Sequence, residues 1–150
     1  MPSDAEALLL AAITLVHETP GYSHIAADLT WRLESGKLRI EPITDRGTTS
    51  FNGIICIGPE TLGDGLVATA ATLVHEHFHT TQFPLTKTVS FWSGVVTKTP
   101  VWQRLERPAY RAAVSFLEAL AQTHPDLASD CQREIAATHA SFQSFYDDAL

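Results

Sequence analysis

His75-Glu76-His77-Phe78-His79 is the segment of this chain whose residue types and spacing could do chemistry. Residues four apart on a helix stand one turn apart on the same face, so His75 and His79 can each aim an imidazole nitrogen at one tetrahedral ion. Glu76 is turned by about 100° around the helix from His75 and can reach a water on that ion without ligating it. In this HExxH arrangement a metal ion acidifies water and the carboxylate takes the proton. With 7 His among 150 residues and the chain's glutamate content, only about 0.02 chance occurrences of the pattern are expected. The flanking sequence adds weight. Residues 65–74 carry no charge, which predicts a helix buried on all sides, and polar residues at ligand spacing interrupt its continuation. His77 points away from the 75/79 face and is read as structural or exposed rather than as a ligand.

A catalytic zinc takes three protein ligands and keeps a fourth position open. The metzincin pattern would need Gly at 82 and His at 85, where this chain has Gln82 and Leu85. The best third ligand is Glu106, in Glu106-Arg-Pro-Ala109-Tyr110. The small Ala109, about one turn on, lets its helix approach the histidine helix, and Pro108 can bend it there. A surface carboxylate beside Arg104 and Arg107 is the competing reading of Glu106. Glu118, His124 and His139 are the alternative ligands, His139 the strongest. Tyr110 is a candidate donor to a developing oxyanion, with core packing as its other role.

The elements that must position these groups follow from patterning. Ser3 and Glu6 form a capping box for a helix from about Asp4 to His17, stopped by Pro20-Gly21. A second helix runs from about Ser23 to Gly36. The alternation from Lys37 to Glu41 predicts a half-exposed strand. A loop from Thr44 to Asn52 separates it from a second strand, Gly53 to Gly58, read as buried on both faces or at a sheet edge beside a site. Thr61 or Asp64 caps the histidine helix. Thr99-Pro100 opens the helix carrying Glu106, with a kink at Pro108. A last helix starts near Pro125, with Leu127, Cys131, Ile135, Phe142, Phe145 and Tyr146 as its apolar stripe.

The fold class expected is therefore α+β. A small sheet packs on a mainly helical body, the histidine helix is buried and the metal sits at a helix crossing, all in one domain spanning residues 1–150. A hydrophobic content of 45 % against 18 % charged excludes disordered and collagen-like chains. The net charge of −7 is the wrong sign for a nucleic-acid partner. The apolar run Leu8–Val16, broken by Thr14, is too short to cross a bilayer. No basic segment precedes that run, since the first Lys or Arg is Arg32, so no signal peptide is expected and the location expected is cytoplasmic. Cys56 and Cys131 are expected as buried free thiols.

Leu73-Val-His-Glu-His-Phe-His79 followed by Glu106-x-x-Ala109 resembles the gluzincin zinc metallopeptidases, especially their small single-domain forms, over about Ile54 to Leu120. The resemblance implies a zincin-like body and hydrolysis of a peptide or protein substrate. His75, His79 and Glu106 would hold Zn2+, and Glu76 would be the general base. It also implies that the strand containing Ile54, Ile55, Cys56 and Ile57 would hold extended substrate by main-chain hydrogen bonds. Larger gluzincins carry an acid where this chain has Tyr110, and a C-terminal helical domain not expected here; residues 83–99, with Phe91 and Trp92, are read as that cleft wall or, equally, as ordinary hydrophobic packing. The alternative class is a regulatory or interaction module that keeps zinc with little or highly restricted peptidase activity. An intact Glu76 argues against a purely structural site, and no Glu-Gly-Cys-Leu-like motif supports a deformylase.

Overall fold

The computed structural model describes residues 1–50, 52–82 and 98–150. Six helices and a three-stranded sheet are present among them: α1 (Asp4–Glu18), α2 (Ser23–Glu34), β1 (Leu38–Ile40), β2 (Gly47–Thr49), β3 (Ile55–Ile57), α3 (Pro59–Gly63), α4 (Leu66–Gln82), α5 (Lys98–Thr123) and α6 (Ala128–Tyr146), with a 3-10 turn at Pro125–Leu127. The mostly helical chain with a small mixed sheet agrees with the α+β class.

Helix α1 starts where the capping box requires, with the Ser3 amide donating to Glu6 Oε2 at 2.7 Å and the Glu6 amide donating to Ser3 Oγ at 3.2 Å. These bonds satisfy two otherwise unpaired amides at the helix start. Its buried face, Leu9, Ala12, Val16 and neighbours, packs against α2 and α4. After α2, Gly36 takes φ +71°, a left-handed turn that glycine adopts without a Cβ clash, and sends the chain into β1.

The sheet order is β1-β3-β2, with β1 parallel and β2 antiparallel to β3. Two expectations change here. The segment 44–52 is not all loop: Gly47–Thr49 pairs with β3 in the register Gly47↔Ile57 and Thr49↔Ile55. Three residues, one of them glycine, are too few to show alternation. As a result β3 is the middle strand, with Ile55 and Ile57 buried and Cys56 half-buried. Its backbone is paired on both sides: the Ile55 amide donates to Lys37 O at 2.8 Å, Ile57 O accepts from the Glu41 amide at 3.0 Å, and Ile54 O accepts from the Ser50 amide at 2.9 Å. Ile54, Ile55, Cys56 and Ile57 therefore offer no free edge to an extended substrate.

Helix α4 is the central element, buried along almost its whole length from Val67 to Val74. It packs against α1 on one side and α5 on the other. The inner stripe of α5 comprises Leu105, Ala109, Ala113, Phe116, Leu117 and Leu120, all buried. The helix runs on through Pro108 to Thr123, so the proline does not end it. Thr61 and Asp64 belong to the short helix α3, as an internal residue and its C-cap, rather than capping α4. The last helix follows the 3-10 turn, and Phe145, expected in its apolar stripe, instead stands 72 % exposed. The segment around Phe91 and Trp92 lies outside the described residues. Both cysteines are free, Cys131 buried and Cys56 half-buried. Among the described residues no helix is long and apolar enough to cross a membrane.

Ala109 is fully buried on the inner face of α5. Ala109→Leu should overpack this face and cost about 1–3 kcal/mol in guanidinium denaturation, whereas Ala137→Leu on the exposed side of α6 should fall within about 0.5 kcal/mol of the parent. Equal stabilities for the two variants would contradict the close packing of α5.

Candidate metal centre

His75 and His79 lie on successive turns of α4, and Glu106 reaches them from α5. Glu106 Oε2 is 3.1 Å from His75 Nε2 and 3.3 Å from His79 Nε2, and the two Nε2 atoms are 3.2 Å apart. Donors at about 2.1 Å from a tetrahedral zinc stand about 3.4 Å from one another, so the triangle has the size such an ion needs. A carboxylate oxygen accepts, each neutral imidazole offers one ring N–H, and all three groups can also give a lone pair to a cation. Among the described residues this is the one group of three His, Cys, Asp or Glu side chains close enough to hold a metal ion.

Burial works against charge on Glu106, yet the hydrogen bonds and charges of the two histidines hold its carboxyl down at about 2. Burial likewise disfavours the charged form of His79, but Glu106 outweighs it and raises that histidine. The alternative ligands are elsewhere. Glu118 and His139 are exposed, and His124 lies 3.5 Å from Glu18. His77 faces the opposite side of α4, with Nε2 3.0 Å from Asp28 Oδ2, and so ties α4 to α2.

Glu76 is 95 % buried beside the triangle, its Oε1 4.0 Å from His75 Nε2. Its other oxygen, Oε2, accepts from Thr49 Oγ1 at 2.6 Å, and that hydroxyl is also 3.0 Å from the Glu76 carbonyl oxygen. Burial raises the Glu76 carboxyl, with the histidines and the Thr49 hydroxyl opposing the shift. Strand β2 approaches so closely that a Cβ on Gly47 would lie 2.8 Å from Glu76 Cγ and 3.0 Å from Thr72 Cγ2. Neither Thr49 nor Gly47 is legible as a site residue in the sequence, because 27 residues separate Thr49 from Glu76 and the strand has no pattern of its own.

Two further residues complete the surroundings. Gln82, on the last turn of α4, meets His79 Nδ1 through its Oε1 at 2.7 Å and donates from Nε2 to the Leu105 carbonyl at 3.0 Å. Its position three residues after His79 was the available signal. The Tyr110 ring packs edge-on against His75 at 4.8 Å, and its hydroxyl is 3.3 Å from Ser141 Oγ on α6. Burial raises the Tyr110 phenol.

All of these but Gln82 line a cavity of about 630 Å³. Residues 44–49 form one wall, and Leu105, Ala113, Glu134, Thr138, Ser141, Phe145 and Tyr146 contribute to the other. Arg46 and Glu134 pair across it at 2.6 Å. The β2 edge has a defined polarity. Arg46 O and the Ser50 amide bond towards β3, so by antiparallel alternation the main-chain groups of Gly47 and Thr49 point outward.

Compared with known protein families, with curated proteins and with solved structures, this chain matches none.

Gly47→Ala should force Glu76 and Thr72 aside and lower stability by about 1–3 kcal/mol, read as a drop in denaturation midpoint. An unchanged midpoint would show that β2 does not sit against Glu76 at this distance.

Proposed function

We propose that this chain is a zinc-dependent metallopeptidase that hydrolyses peptide bonds. The observation carrying that reading is the convergence of His75 Nε2, His79 Nε2 and Glu106 Oε2 with the buried Glu76 carboxylate alongside, all opening into one cavity. Two neutral imidazoles and a carboxylate form a borderline-soft set suited to zinc, and three ligands from the protein leave room for a reactant. A zinc ion held there supplies Lewis acidity, acidifying water and polarising a carbonyl.

The chain's own residues do the rest. Glu76 Oε2 is held by Thr49, which leaves Oε1 directed to the metal side to take a proton from the attacking water and pass it to the leaving amine. An extended peptide pairs with the outward Gly47 and Thr49 main-chain groups of β2, which replaces the strand Ile54–Ile57 as the substrate edge. Main-chain pairing holds a peptide without reading its side chains. Tyr110 stands in the wall next to His75 as a donor for the developing oxyanion.

Purified protein should contain one zinc per chain by elemental analysis, and the zinc-loaded form should cleave members of an unbiased peptide library. Glu76→Gln should keep the zinc and lose at least about 100-fold in turnover. Parent-like cleavage by this variant would remove Glu76 from the base role. Glu106→Ala should weaken zinc binding and abolish cleavage, while His139→Ala should leave both near parent values. A zinc content unaffected by Glu106→Ala would exclude the third ligand.

A further inference from the structure

We infer that Gln82 is a positioning residue that sets the tautomer of His79 and so aims its Nε2 lone pair into the triangle with His75 and Glu106. This rests on the metal-site reading for its purpose, though not for its geometry. The Leu105 carbonyl can only accept a hydrogen bond, and it lies 3.0 Å from Gln82 Nε2. That contact orients the amide, because the opposite placement would set two oxygens against each other. Gln82 Oε1 must then face His79 Nδ1, at 2.7 Å. An amide oxygen is an acceptor, so Nδ1 carries the hydrogen, and in the neutral ring Nε2 carries the lone pair. Nε2 is the atom that lies 3.3 Å from Glu106 Oε2 and 3.2 Å from His75 Nε2.

The chain of bonds is buried. Gln82 is 9 % exposed and His79 8 %, so water competes little for either contact, and an unpaired donor or acceptor here would carry its full desolvation cost. The anchor also matters for the other ligand. Leu105 precedes Glu106 on α5, so one glutamine links a histidine ligand on α4 to the backbone beside the carboxylate ligand. Outer partners of this kind orient a metal-bound histidine and typically contribute 10–100-fold to metal affinity.

The test compares the parent with Gln82→Met, which keeps bulk but loses the acceptor, and Gln82→Glu, which keeps an acceptor for Nδ1–H. The first readout is ¹⁵N NMR of the His79 ring in metal-free protein, at a pH where the ring is neutral. The second is zinc affinity by competition with a chromophoric chelator. The parent and Gln82→Glu should hold the hydrogen on Nδ1, while Gln82→Met should shift towards Nε2–H. Gln82→Met should also bind zinc about 10–100-fold more weakly than the parent, and more weakly than Gln82→Glu. An Nε2–H ring in the parent, or parent-like zinc affinity in folded Gln82→Met, would overturn the inference. A parent that binds no zinc but shows His79 as Nδ1–H would overturn the peptidase reading and leave the role of Gln82 standing.

Discussion

Glu106 Oε2, drawn to within 3.3 Å of two imidazole nitrogens, is the contact on which the rest of this molecule is arranged. Two histidines and a carboxylate each lose part of their hydration where they converge. Their proximity must be enforced by elements that are stable for other causes. Those are the uncharged run of α4, which is insoluble in any arrangement but a buried one, and the apolar stripe of α5 that packs beside it. The fold lines up the two helices through Leu73, Phe116, Leu117 and Leu120, and the polar groups along them are carried together.

The sheet serves the same centre from the opposite side. β3 is locked between two neighbours and buried through Ile55 and Ile57, which makes it a support. β2 hangs on it as an edge strand and does three things within three residues. Gly47 clears space for Glu76, Thr49 bonds the Glu76 carboxylate, and the main-chain groups of both point away from β3. An edge strand is ordinarily an aggregation hazard; this one is three residues long and lines a cavity.

The polar contacts divide into those that hold His75 and His79 and those that hold helices together. Gln82 and Tyr110 touch His79 and His75 directly. His77 with Asp28, and Arg32 with Asp28 and the Gly53 carbonyl, join α2, α4 and the turn before β3. The same helix α4 thus presents one histidine face to the cavity and one histidine to its structural neighbour, and the roughly 100° step per residue is what separates them.

Much of this was legible in the sequence wherever a residue's role depends on its near neighbours. The α1 capping box, the glycine stop after α2, the buried run of α4 and the His75/Glu76/His79 geometry all arise from spacings of three or four residues along one helix. Glu106 was reachable as a candidate only through the residues beside it. Its pairing with the histidines, and the exclusion of Glu118, His124 and His139, required the packing of α5 on α4, because no local pattern encodes which face of a helix meets another 30 residues away. The tertiary structure alone decided the sheet. The order β1-β3-β2 turned the expected substrate strand into an internal one and brought an unpatterned glycine-threonine segment against the buried carboxylate. Hydrogen bonds between the strands fix that order, and a three-residue strand carries too little periodicity to announce it.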